Sequence, residues 1–255
     1  MSSDRQQSHR KTILNLAHRG ASGHAPQNTM AAFLLAAEMG ADGIELDVHL
    51  SADGQAVVIH NDTVDETTDG SGPVRQMTAA QLQSLDAGRW FDPRFAGERI
   101  PTLEEVFTTL GQQLFINVEI KVEAGYHPPE QEAEAVRLIE DYHMVERVIV
   151  SSFSPTSLRR VHRLNPHIPL GFLYASAQPG LLPLLIHRFY APLTAWHPDL
   201  KRVDAGYMSR ARRRQQRVNV WTVNAADDMR HMRDLGVDGI ITNYPDVLRD
   251  VLAER

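Results

Sequence analysis

No cysteine occurs anywhere in the chain. Its absence excludes disulfide staples and thiolate metal sites, and it fits a reducing compartment. Long apolar runs are also missing. The longest, Leu181 to Ile186, is broken by Pro183 and followed by His187 and Arg188, far short of the roughly 18 residues that a membrane span requires. The opening stretch MSSDRQQSHRK has no apolar core, so no secretory signal is read there and a cytoplasmic location is expected. Nor is there an excess of positive charge: the net charge of −6 disfavours general binding to nucleic acid. One local exception is the run from Arg210 to Arg217, with five arginines in eight residues. Such a run is expected on a solvated helix face, with recruitment of an acidic partner as the alternative.

What is present describes an ordinary globular chain of 255 residues, 42% hydrophobic and 23% charged. Short β-like runs fall at 13–17, 43–48, 56–60, 114–120, 147–151, 168–173, 218–223 and 238–242, with a ninth candidate near 193–197. Helical stretches at 29–40, 103–110, 129–142, 155–164 and 226–235 lie between them. Alternating strand and helix predicts a parallel sheet covered by helices. Eight strands in one chain of this length favour a closed (β/α)8 barrel of the TIM type, spanning 12–255 as one domain after a polar tail at 1–11. Two irregularities are expected. Only twelve residues separate Asp47 from His60, too few for a crossover helix, so the chain runs down and back up in extended form between strands 2 and 3. The stretch 65–101, rich in Gly, Thr and Asp, is expected to be an insertion at the barrel mouth, helical around 79–85.

The polar residues at the strand ends carry the chemistry. In Gly43-Ile44-Glu45-Leu46-Asp47-Val48 the apolar residues share one face, while Glu45 and Asp47 share the other. In Phe115 to Lys121 the same alternation puts Asn117, Glu119 and Lys121 together. A half-solvated strand explains one such pattern. In a barrel, however, neither face of a strand sees bulk water. Buried carboxylates cost several kcal/mol each unless they are paired or bind a metal, so Glu45, Asp47 and Glu119 are expected to gather around a divalent cation. All-oxygen donors suit a hard ion: Mg²⁺, Ca²⁺ or Mn²⁺. His18 and His60 end two other runs at the same rim, and histidine is the natural proton carrier near neutral pH. Three acids, a divalent ion and the cations Arg19 and Lys121 leave one positive charge, which a phosphodiester monoanion neutralises and a neutral sugar does not.

The ordered set of motifs resembles the glycerophosphodiester phosphodiesterases. It comprises His18-Arg19-Gly20, Pro26-Gln27-Asn28-Thr29, Glu45-Leu46-Asp47, His60 with Asp62, Ile100-Pro101-Thr102-Leu103-Glu104-Glu105, Val118-Glu119-Ile120-Lys121, Ser151-Ser152-Phe153, Trp221-Thr222-Val223-Asn224 and Asp238-Gly239-Ile240-Ile241-Thr242-Asn243. The resemblance implies a phospholipase C-like barrel and a metal held by Glu45, Asp47 and Glu119. It further implies His18 and His60 as general acid and base, phosphate contacts from Arg19 and Lys121, and release of glycerol 3-phosphate plus an alcohol. The chain departs from the family pattern at Gln27, where Glu is usual, and at Asn61 and Glu66 beyond His60.

On this reading the nucleophile is either a neighbouring glycerol hydroxyl or a water, and the acid and base parts of the two histidines are not assigned. Phe153 and Trp221 are expected at the mouth against the substrate, with burial in the core as the alternative for Trp221. His24 and His49 are expected to pack or face solvent, with a place in the site as the alternative, and Asn224 and Asn243 to brace loops. The rival substrate is a lysophospholipid, with Leu181 to Ile186 as a lipid-facing lip instead of a packed helix. A barrel that binds phosphate ligands without turnover is the non-catalytic rival.

Overall fold

The computed structural model describes residues 13–123, 126–179 and 181–254; the polar tail expected at 1–11 lies outside them. The elements run β1 (Leu14–His18), α1 (Met30–Glu38), β2 (Gly43–Leu50), β3 (Ala56–Val58), α2 (Ala79–Gln83), α3 (Leu103–Leu110), β4 (Phe115–Ile120), α4 (Glu130–Asp141), β5 (Val148–Ser152), α5 (Pro155–Leu164), β6 (Leu170–Tyr174), α6 (Leu182–Phe189), β7 (Ala195–Pro198), α7 (Ala205–Arg213), β8 (Arg217–Val220), α8 (Ala226–Leu235), β9 (Gly239–Thr242) and α9 (Pro245–Ala253). No helix among the described residues is long and apolar enough to cross a membrane.

Eight parallel strands close on themselves. The order runs β1, β9, β8, β7, β6, β5, β4, β2, and β2 pairs back to β1. The fold is therefore the expected closed (β/α)8 barrel, with two changes to its membership. The run at 56–60 is not a barrel stave: β3 folds back antiparallel onto β2, pairing Val48 with Val58. The candidate near 193–197 takes the vacant place as β7, parallel to β6 and β8. The short connection after β2 allows only a hairpin, and a hairpin partner runs antiparallel. The strand expected at 218–223 also stops early, at Val220.

Local chemistry sets the helix starts. Thr102 and Glu105 form a reciprocal capping box at α3, with bonds of 3.1 and 2.8 Å. Thr29 caps α1 by accepting from the Ala32 amide. α8 ends on Gly236 in the left-handed region, φ +71°. The outward residues Ile44, Leu46 and Val48, and Ile116, Val118 and Ile120, are at most 1% exposed and belong to the main core between barrel and helices. A separate small core forms where Val57 and Ile59 meet Val64, Val74, Leu82 and Ile100. It ties the segment around α2 to β3.

The barrel interior is tight enough to require glycine at Gly171. A Cβ there would lie 2.6 Å from His197 Nε2, whose ring fills the space. Gly43 is more constrained still, because its neighbour is backbone. A Cβ at Gly43 would meet the Phe115 carbonyl oxygen on the adjacent strand at 2.3 Å. Gly43→Ala must therefore push β2 from β4 at the base of the barrel. It is expected to lower unfolding free energy by about 1–3 kcal/mol, measured by urea denaturation; an unchanged midpoint would show that the strands part without cost.

Candidate active site

Because Ile44, Leu46 and Val48 face the helices, Glu45 and Asp47 must face the barrel interior. Parallel pairing then sets Asp47 beside Glu119 of β4, and His18 of β1 beside Glu45. One oxygen from each of Glu45, Asp47 and Glu119 lies within 4.8 Å of the other two. The three residues are 3%, 1% and 7% exposed.

Two cations answer them. Lys121 Nζ stands 3.0 Å from Glu119 Oε1 and 3.5 Å from Asp47 Oδ1. Arg19 Nε approaches Asp47 Oδ2 to 3.2 Å, but without hydrogen-bond alignment. Arg19 Nη1 donates instead to Gln27 Oε1 at 2.7 Å. The turn after β1 puts Arg19 in the left-handed region, φ +56°, and its backbone N–H donates to Glu45 Oε2 at 3.1 Å. Asn28, also left-handed at φ +57°, donates from Nδ2 to Asp47 Oδ2 at 2.9 Å. Asparagine tolerates that region better than most residues.

The electrostatics remain unbalanced. Burial, then the neighbouring Asp47, pushes Glu119 up to about 7. Burial with Asp47 and Glu119 raises Glu45 well above the ordinary carboxylate range. Burial also opposes ionisation of Asp47, but Arg19 and Lys121 outweigh it and hold that carboxyl low. Asp47 Oδ1 has no hydrogen-bond partner. Three buried carboxyls, two reluctant to ionise and one with an oxygen that accepts no hydrogen bond, suit a hard divalent ion with oxygen donors.

Both histidines face the same place. His18 Nδ1 donates to Asn243 Oδ1 at 2.7 Å, leaving Nε2 unprotonated and 3.9 Å from Glu45 Oε2. Burial, with help from Arg19, draws His18 down to about 4. His60, two residues past β3, donates from Nδ1 to Asn61 Oδ1 at 2.5 Å, and Asn61 is itself held by Glu66 at 2.6 Å. Burial lowers His60 as well. A cavity of about 180 Å³ is lined by His18, Arg19, Glu45, His60, Glu119 and Lys121, with Phe153 and Trp221 at its edge. Those two rings meet edge to face, centroids 5.6 Å apart, and Trp221 Nε1 donates to the His197 carbonyl at 2.7 Å.

Of the residues singled out from sequence, all nine site candidates come together here: eight line the cavity, and Asp47 lies directly behind it in the acid cluster. His24 and His49 do not line it. His24 pairs with Asp246 at 3.1 Å, and His49 Nε2 reaches the His60 carbonyl. Asn243, read as a loop brace, orients His18, while Asn224 accepts from the Asn243 amide. Asn28, within the Pro26–Thr29 motif, and Asn61, a departure from the family pattern, are not singled out by sequence as anchors for Asp47 and His60. A larger hollow of about 930 Å³ opens near the strand starts, around Arg212, Arg217 and Arg233; its described lining holds Asp234 and Asp238 but no histidine.

The model of the Glycerophosphoryl diester phosphodiesterase family matches residues 18–247. A glycerophosphodiester phosphodiesterase of Caldanaerobacter subterraneus is 43% identical over 239 residues, covering 93% of this chain and 96% of its own. One from Bacillus subtilis is 34% identical, covering 94% and 86%. Among solved structures, an Oleispira antarctica phosphodiesterase in complex with the product sn-glycerol-3-phosphate superposes with a TM-score of 0.87, at 29% identity and 94% and 96% coverage.

The raised carboxyls make a prediction for the metal-free chain. Folded Glu119 keeps its proton to about pH 7, whereas its ordinary value is 4.5. Its contribution to stability is thus full below about 4.5 and lost as pH rises through about 7. Metal-free Glu119→Gln is expected to melt above the metal-free parent at pH 8, by about 2–4 °C per kcal/mol relieved, and the gap should close towards pH 5. Thermal melts in chelator at both pH values check this; a gap independent of pH contradicts it.

Proposed function

This chain belongs to the glycerophosphoryl diester phosphodiesterase family, a premise from which we propose that it hydrolyses glycerophosphodiesters to glycerol 3-phosphate and an alcohol, with a divalent cation, in the cavity above Glu45, Asp47 and Glu119. The observation carrying this reading is the convergence of three buried acids, two histidines and two cations on one cavity. A phosphate-binding barrel without turnover needs neither the histidines nor their amide partners. The Oleispira structure, with sn-glycerol-3-phosphate as product, supports the same substrate class.

In this mechanism Glu45, Asp47 and Glu119 hold the cation. Bound there, the ion supplies Lewis-acid stabilisation of charge on the phosphoryl oxygens. Arg19, steadied by Gln27, and Lys121, steadied by Glu119, bind the phosphodiester and offset the charge that grows in the transition state. Because Gln27 is neutral, it orients the Arg19 guanidinium without consuming its charge. His18 serves as base: Asn243 fixes its tautomer, so its Nε2 lone pair is free at neutral pH. It takes the proton of the attacking hydroxyl, from the substrate's own glycerol or from water. His60, whose Nδ1 proton is held by Asn61, acts as acid from its doubly protonated imidazolium form, giving its Nε2 proton to the departing alkoxide and keeping the one on Nδ1. Phe153 and Trp221 pack against the alcohol.

The cavity of about 180 Å³ has room for a glycerophosphoryl group. The lysophospholipid alternative draws its support from the aromatic edge, and comparing micellar lysolipid with glycerophosphoethanolamine separates the two.

Two outcomes test the mechanism. Metal-stripped protein should release no glycerol 3-phosphate and should recover on addition of Mg²⁺, Ca²⁺ or Mn²⁺; full turnover in chelator is the contrary result. His18→Ala and His60→Ala should each cost about 10²-fold or more in kcat on glycerophosphoethanolamine. With a p-nitrophenyl leaving group, which needs no acid, the His60→Ala deficit should largely vanish while that of His18→Ala persists. Equal deficits on both substrates sink the assignment of acid and base.

A further inference from the structure

The charge of this chain is unevenly distributed. Residues 155–217 carry eleven Lys and Arg against two Asp and Glu, a net of +9, so the remainder, with 15 basic and 30 acidic residues, carries −15. No acidic residue occurs between Glu146 and Asp199. Because β5, β6, β7 and β8 are consecutive neighbours, the helices α5, α6 and α7 form one continuous sector of the barrel wall. Arg159, Arg163, Arg188, Arg210, Arg213 and Arg214 are all exposed on it. The two acids of the sector are turned to local backbone, Asp199 capping Lys201 and Asp204 capping Tyr207. Elsewhere the arginines find carboxylates: Arg137 pairs with Glu134 and Asp141, and Arg230 and Arg233 share Glu254.

In the middle of this basic sector α6 exposes an apolar stripe. Pro183 and Ile186 turn inward and are buried. Leu181, Leu185 and Phe189, spaced four residues apart on the outer face, are 67%, 51% and 67% exposed, and Tyr190 beside them is 44% exposed. An apolar helix face bordered by arginines is the composition of a surface that lies on a bilayer, with hydrocarbon at the acyl boundary and guanidinium groups on phosphates. A second copy of the chain does not fit, since joining two such faces would set +9 against +9. A nucleic acid or acidic polypeptide would satisfy the arginines but leave the stripe in water. The sector also adjoins the cavity, to which β6 contributes Leu173 and the end of β5 contributes Phe153.

We propose that the α5–α6–α7 sector is a docking surface for anionic phospholipid bilayers, with Leu181, Leu185 and Phe189 entering the interface and the flanking arginines binding lipid phosphates. The test uses the full chain in flotation with vesicles of phosphatidylcholine alone and of phosphatidylcholine with phosphatidylglycerol, at low and high salt. The parent should float with the anionic vesicles at low salt and bind neutral ones about 10-fold or more weakly, since each arginine near an anionic surface strengthens partitioning roughly fivefold. Leu185→Asp with Phe189→Asp, and separately Arg210→Glu with Arg213→Glu and Arg214→Glu, should each weaken binding about 10-fold or more. Hydrolysis of soluble glycerophosphoethanolamine should be unchanged in both. If the aspartate pair disturbs folding, Leu185→Gln with Phe189→Gln gives the same reading. The proposal is overturned if the parent ignores anionic vesicles at low salt, if the apolar variants bind as the parent does, or if polyglutamate or DNA competes as well as the vesicles. A shift from dimer to monomer in the apolar variants would likewise assign the stripe to self-association and overturn it.

Discussion

Three carboxyl groups held together inside a barrel repel one another in a medium that screens them poorly, and much of the site answers that repulsion. Their closeness is imposed by backbone hydrogen bonding, since the β2–β4 register makes Asp47 and Glu119 neighbours whatever their charge. Relief comes from Lys121 just past the strand that carries Glu119, from Arg19 in the turn after β1, and from the amide of Asn28. Even so, two of the three acids are left reluctant to ionise. An environment in which protonation is the only remaining escape is one in which a cation binds strongly, because it removes the repulsion directly. The tension that makes this arrangement costly is therefore what suits it to a small, highly charged ion.

Much of this is legible in the amino-acid order because period-two alternation survives in a barrel strand. Ile44, Leu46 and Val48 announce one face, so Glu45 and Asp47 must take the other, and β4 repeats the pattern. The barrel itself follows from the strand and helix rhythm. The identity of the eighth stave does not, because Ala56–Val58 and Ala195–Pro198 are both short and buried. Only pairing partners distinguish them, and pairing is a property of the folded chain. The apolar helix α6 was equally ambiguous, since hydropathy does not say which of its faces is covered.

The amides were the least legible part. Asn28, Asn61 and Asn243 each hold a charged or titratable group from a distance in sequence that ranges from one residue to 225. Asparagine is common in turns for local reasons, so nothing in its occurrence separates a brace for a loop from an anchor for an imidazole. Asn243 meets His18 only because β9 and β1 close the barrel.

The two histidines do not share the same mechanical standing. His18 is the last residue of a stave hydrogen-bonded on both sides, so its place is set by the barrel as a whole. His60 rides on a hairpin arm, anchored by the small separate core that Val57 and Ile59 make with Leu82 and Ile100. Changes in that patch can tilt one imidazole without moving the other or the acids. Divergence among related enzymes can therefore shift His60 through a tether of a few aliphatic side chains, while the wall that carries the three acids stays as it is.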